Sequence, residues 1–297
     1  MLLDSVRKLL GWLAPPAGAL LPAAEPIASP VPDPELADDD DPEWPSARIG
    51  VVEALWGQGF LFPGGGAEVL RLTAPLGLSA ASSLLLIGAG SGGPSRCIAA
   101  EFGVWVTGYE ANKRLVVLAN ERSERAGMGR RAQVEIWDSL KPKFPRRYFH
   151  HGMAIEMLHG AKPDKVLTAV ALALKPGAQF VLLETVADAP LDPADPMVAT
   201  WARLDHRSAD VPSEPEITNV LARLKFDVRI VEDVSRRHMQ SAMQGWRIAV
   251  EAMAGAPPAL RQIGMMVHEA ELWTARFRLM RDGKLRLARW HAIAGGG

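Results

Sequence analysis

The chain has 297 residues, 48% of them hydrophobic, enough for one domain of roughly 250 residues with appendages. No run of about 18 uninterrupted apolar residues occurs, so the composition provides no membrane-spanning helix. The net charge of −1 argues against a protein that grips phosphate backbones, so no nucleic-acid partner is expected. The single cysteine, Cys97, excludes an internal disulfide and every multi-cysteine metal site.

In chain order, residues 1–14 form an expected amphipathic helix. Leu2, Val6, Leu9, Leu10 and Leu13 share one face, and Pro15 and Pro16 end it. Such a short helix needs a surface to fold against, which makes it a candidate dock for a protein or a membrane surface. Residues 15–43 are rich in Pro and Ala and close on the acidic PDPELADDDDPE, too poor in apolar content to fold alone, and read as a linker. The apolar stretch Leu9–Ala24 also permits an export signal. Its prolines and the cysteine-poor body that follows favour a cytoplasmic chain instead.

Residues 44–297 form the main domain. Ala67–Leu76 reads as helix, Leu84–Ile87 as buried strand and Ser95–Phe102 as helix. Val104–Tyr109 is the next strand, followed by the helix Lys113–Gly127 and the strand Gln133–Trp137. After a basic loop come the helix Lys165–Leu174 and the strand Gln179–Glu184. This alternation predicts an α/β fold with a doubly wound parallel sheet, whose ligands sit beyond the carboxyl ends of the strands. Cys97, within the apolar Cys-Ile-Ala-Ala, reads as core packing.

The turn Gly88-Ala89-Gly90-Ser91-Gly92-Gly93 satisfies both the GxGxxG of dinucleotide enzymes and the GxGxG of S-adenosylmethionine enzymes. Glu110 ends the second strand, where an acid can accept both hydroxyls of a ribose. Asp138, after the third strand, stands where an acid can reach an adenine amino group. A helix and a Pro-Gly-Gly-Gly turn precede the glycine strand, whereas dinucleotide folds often begin with that strand. The cofactor residues expected on this basis are Gly88, Ala89, Gly90 and Gly92, Glu110 with Ala111, and Asp138 with Ser139.

Leu174-Lys-Pro-Gly-Ala before a strand is similar to the LKPGG signature of class I methyltransferases that use S-adenosylmethionine. WGQGFLFPGG, Trp56–Gly65, resembles the segment that shuts the site in the phosphoethanolamine- and sterol-type small-molecule enzymes. EITNVLARLKFDVRIVEDVS and ELWTARFRLMRDGKLRLARWHAI resemble their closing region, so the likeness runs from about 50 to 293. It implies a Rossmann-like methyltransferase sheet, mostly parallel with an antiparallel last strand, S-adenosylmethionine as cofactor and a small-molecule or lipid-like methyl acceptor. Three departures stand out. Leu86 replaces the acid usually found before the glycines, the irregular RRYFHHGMAIEML replaces the FDVV strand, and neither tyrosine, Tyr109 or Tyr148, lies in Trp56–Gly65.

Methyl transfer rests largely on proximity, and a base is needed only if the acceptor carries a proton at attack. The resemblance offers Glu156 as the acid facing the methyl group, and His159 is a candidate base. His150 and His151 lie nearby in sequence. Trp56, Phe60 and Phe62 are candidate walls of an acceptor pocket through their π faces, with a plain hydrophobic lid as the simpler reading. His238 matches a pocket-lining region of the family by position. Lys141, Lys143, Arg146 and Arg147 form a basic loop expected at the carboxyl side of the sheet, and Arg276–Arg289 reads as strand edges. Two further functions compete with an active methyltransferase. Leu86 and the missing FDVV favour a methyltransferase-like binding or assembly module without catalysis, and the glycine turn alone also permits an NAD-dependent reductase.

Overall fold

The computed structural model describes residues 41–158, 160–255 and 260–295. The expected helix over 1–14 and almost all of the linker lie outside these residues. Seven strands run β1 (Ser83–Ile87), β2 (Trp105–Glu110), β3 (Ala132–Ile136), β4 (Phe149–Ile155), β5 (Leu174–Val186), β6 (Phe226–Asp233) and β7 (Arg286–Ala294). They form one sheet in the order β3-β2-β1-β4-β5-β7-β6. The first five pair in parallel, and β7 runs antiparallel between β5 and β6. The doubly wound sheet with an antiparallel last strand is therefore as the sequence predicts.

Successive side chains of a strand point to opposite faces, and β1 is buried on both. Leu84 and Leu86 enter one apolar core and Leu85 and Ile87 the other. Helices cover both faces: α1 (Ser46–Trp56), α2 (Gly65–Thr73), α3 (Gly93–Phe102), α4 (Lys113–Arg125), α5 (Pro163–Ala173), α6 (Pro196–Leu204) and α7 (Glu214–Arg223). Two long helices, α8 (Ser235–Gly255) and α9 (Leu260–Arg281), intervene between β6 and β7. Here the reading of Arg276–Arg289 as strand edges fails. Ala270, Trp273, Phe277 and Met280 are buried at helical spacing, so Arg276–Arg281 belongs to α9, and the strand begins at Arg286.

Two other local features depart from expectation. RRYFHHGMAIEML holds a regular strand, Phe149–Ile155, because Met153, Ala154 and Ile155 bury as the central parallel strand of a sheet requires. In LKPGA, Leu174 pairs with Phe149 and the register resumes only at Gln179 opposite His151, so the residues between them bulge out of the ladder. Among the described residues no helix is long and apolar enough to cross a membrane.

A cleft at the carboxyl ends of the strands

The turn after β1 folds onto the end of β2. Gly88 and Ala89 both donate their backbone N–H to the carbonyl of Tyr109, at 3.0 and 3.2 Å. Gly88 has φ +79°, and a Cβ there would lie 2.3 Å from the carbonyl oxygen of Ile155, so only glycine lets β1 and β4 part at this point. Glu110 closes the turn. Its Oε2 accepts from Gly90 N at 2.9 Å and its Oε1 from Asn112 N at 3.0 Å. Burial pushes the Glu110 carboxyl above its ordinary range, against the opposing pull of the Asn112, Gly90 and Ala111 N–H groups.

These residues open onto a cleft of about 430 Å³. Gly88, Ala89, Gly90, Glu110, Ala111 and Ser139 line it, together with Trp56 and Phe62. Several other expected residues do not line it. Gly92, at φ +84°, is where α3 packs on α4, and a Cβ there would lie 2.9 Å from Ala119 Cβ. Asp138 is exposed, and its Oδ1 accepts from Leu140 N at 2.8 Å within its own turn. Phe60 is buried in the core, edge-on to Phe62 with centroids 6.5 Å apart. His159 lies outside the described residues.

The segment between α1 and α2 is held over the glycine turn by Glu53, the only acid in an otherwise largely apolar helix. Glu53 Oε1 accepts from Gly59 N and from Ser91 Oγ, both at 2.9 Å. Arg122 of α4 grips the same carboxylate with Nη1 at 2.5 Å from Oε1 and Nη2 at 2.9 Å from Oε2. Gly93 N donates to Gly59 O at 2.9 Å, and a Cβ on Gly59 would lie 2.8 Å from the Gly93 backbone. A lone carboxylate on an apolar helix three residues before Trp56 was the sequence signal for this latch.

Past the end of β4, Glu156 sits at φ +44°, in the left-handed region. Its Oε1 accepts from Thr185 Oγ1 at 2.5 Å, Arg276 Nη2 at 2.7 Å and Arg207 Nη2 at 3.0 Å. Burial raises its pKa, but the two guanidiniums outweigh this and hold the carboxyl well below the ordinary range. A carboxylate fixed in this way is a standing negative charge and a poor proton acceptor near neutrality. Arg207 Nε also lies 2.6 Å from Asp205 Oδ2. Beside them Glu184 is buried, and burial together with the Glu156 charge pushes it up to about 8 despite Arg207. Glu156, Arg207 and Arg276 line the cleft.

His238 is buried beside this cluster, 5.5 Å from the Trp273 ring centroid, and does not line the cleft. Burial, reinforced by Arg276, pulls it down to about 3, so it stands neutral. His150 and His151 occupy the amino half of β4, away from the cleft, where His150 Nδ1 lies 2.9 Å from Ser83 Oγ. The basic loop likewise crosses the molecule. Its Lys141 follows the β3 turn, but Arg147 N bonds to Leu172 O at the amino edge of β4. Arg146 and Arg147 are therefore not placed to draw an acceptor into the cleft.

A family model described as Methyltransferase domain matches residues 85–182. Phosphoethanolamine N-methyltransferase 2 of Caenorhabditis elegans is 28% identical over 145 residues, covering 48% of this chain and 33% of that protein. The 27-O-demethylrifamycin SV methyltransferase of Amycolatopsis mediterranei is 34% identical over 114 residues, covering 38% of this chain and 42% of that protein. The chain thus spans well under half the length of these relatives. The solved structure of Haemonchus contortus phosphoethanolamine N-methyltransferase 2 with S-adenosyl-L-methionine superimposes with a TM-score of 0.75 at 19% identity, over 86% of this chain and 59% of that one. Residues 85–182 are thus similar to a methyltransferase domain, and the seven-stranded sheet shares the fold of that solved structure.

Proposed function

We propose that the cleft binds S-adenosylmethionine and that the chain transfers its methyl group to a small-molecule or lipid-like acceptor. The observation that carries this reading is Glu110, its carboxylate aimed by the N–H groups of Gly90 and Asn112 at the lip of the glycine turn. The donor set fits the group. Beyond the N–H groups of Gly90, Asn112 and Ala111, the Glu110 carboxylate keeps lone-pair capacity for a ribose hydroxyl, and Gly88, Ala89 and Gly90 bring the backbone itself to the lining of the same cleft. When bound, S-adenosylmethionine supplies an electrophilic methyl on a sulfonium.

The chain's own residues supply the rest. Trp56 and Phe62 wall the cleft against water. Glu156, held ionised by Arg207 and Arg276, fixes these two guanidiniums in the wall of the cleft and is itself no base for an acceptor that carries a proton. The relatives named for phosphoethanolamine and for a rifamycin support a small-molecule acceptor.

A second reading, a binding module without catalysis, is favoured by Leu86, which is fully buried and offers no carboxylate to a methionine ammonium. Calorimetry with S-adenosylhomocysteine, S-adenosylmethionine and NAD separates these readings. S-adenosylhomocysteine is expected to bind, and Glu110→Ala to weaken it by about 2 kcal/mol, the order of a hydrogen bond to a charged group. An unchanged Kd in a folded variant removes Glu110 from the site. Preference for NAD overturns the methyltransferase reading, and cofactor binding without any methyl release over a panel of amine, hydroxyl and lipid acceptors favours the module.

A further inference from the structure

We infer that residues 41–44, which the sequence assigns largely to a linker, form a strap over the adenosine end of the cleft, and that Asp41 is the positioning residue that hooks it there. The inference rests on the reading that this cleft holds an adenosine-bearing cofactor. Asp41 makes two kinds of contact with its two oxygens. Oδ1 accepts from Glu43 N at 2.9 Å and Trp44 N at 2.8 Å, which turns the chain back toward α1. Oδ2 accepts from Asn112 Nδ2 at 2.9 Å, across 71 residues of sequence.

Asn112 is the residue on which the adenosine end depends. Its N–H donates to Glu110 Oε1 at 3.0 Å, and its Oδ1 caps α4 by accepting from Leu115 N at 3.1 Å. With its carbonyl oxygen committed to the helix, the amide of Asn112 is oriented, and its NH2 is left to face the acceptor that Asp41 provides. Asp41 therefore acts on Glu110 through one intermediate residue. Between them, Glu43 and Trp44 line the cleft.

The far end of the strap is tied as firmly. The Glu43 carbonyl accepts from Arg48 Nη1 at 2.8 Å, the Arg48 guanidinium stacks 4.4 Å above the Trp44 ring, and Arg48 Nε pairs with Glu269 of α9 at 2.7 Å. Arg48 and Glu269 are both buried, so this end is anchored in the core. The hook at Asp41 is the end that can release. A ligand whose ribose meets Glu110 has Trp44 and Glu43 along the same cleft, and it leaves faster when the hook is lost.

The test uses the full chain with Asp41→Ala and Asp41→Asn, and S-adenosylhomocysteine as the probe. Asp41→Asn keeps an oxygen for Glu43 N and Trp44 N but sets one NH2 against another at Asn112, so it breaks the hook and spares the turn. Stopped-flow tryptophan fluorescence is expected to show dissociation about tenfold faster in both variants, with association and melting temperature little changed, since one charged hydrogen bond is worth about this factor. A Kd equal to that of the unaltered chain overturns the inference. So does a loss confined to Asp41→Ala, or one that tracks a fall in melting temperature, because the contact is then merely structural. If the unaltered chain itself fails to bind, the reading of the cleft falls, and the strap with it.

Discussion

Glu53 is the side chain on which the closure of the cleft most directly depends, and Glu53→Ala removes it without touching the cleft lining. The Glu53–Arg122 side chains are 11% and 5% exposed, so deleting the carboxylate takes an ion-pair partner from a guanidinium buried in the interior. Breaking one partner of a buried pair costs about 3–5 kcal/mol. Gly59 N–H and Ser91 Oγ–H lose their acceptor at the same time, which places the expected loss toward the upper end of that range. For a domain of this size each kcal/mol lowers Tm by about 2–4 °C, so a fall on the order of 10–15 °C is expected by calorimetry.

Urea denaturation followed by tryptophan fluorescence provides the second measure, and Arg122→Met provides the control. Combined with Glu53→Ala, it replaces the buried charge by an apolar side chain of similar length, and much of the loss is expected to return as a coupling energy of about 2 kcal/mol. A loss below about 1 kcal/mol with no coupling would refute the reasoning, because such values belong to a solvated surface pair.

Leu86→Asp places a carboxylate at a site with no exposure, opposite Gly108 and Met153 in the sheet; several kcal/mol of destabilisation are expected, read as a large drop in melting temperature with no gain in affinity for S-adenosylhomocysteine. Tighter binding in a folded variant would instead show that the acid position is functional in this chain. Glu184, pushed up to about 8, is protonated in the folded chain while the unfolded chain has already lost that proton at an ordinary carboxylate value. Its contribution to stability is therefore complete below the ordinary glutamate range and is lost as pH rises toward 8. Glu184→Gln is expected to flatten the stability profile between pH 5 and 8 by denaturant titration, and an unaltered slope counts against the assignment.

Much of this protein is legible in short windows of its sequence. Leu84–Ile87 reads as a strand because four consecutive apolar residues bury on both faces of a parallel sheet, and Glu110 is found because it ends the next strand, beside the glycine turn. Those signals are local: periodicity, glycine and chain order carry them. What surrounds Glu156 is different in kind. Arg207 lies 51 residues away and Arg276 lies 120 away, and the apolar alternation around Arg276 fits a strand edge as readily as the buried face of α9. Glu53 reaches Arg122 across 69 residues, and Asp41 reaches Asn112 across 71. A carboxylate in isolation carries no record of its partner. The same side chain is a solvated acid, a base or a fixed counter-charge according to which guanidiniums are brought within 3 Å and how much water is excluded. The pattern of the sequence determined the sheet and the place of the cleft, whereas packing of distant helices decided which charges face it, because burial and pairing are properties of the assembled core alone.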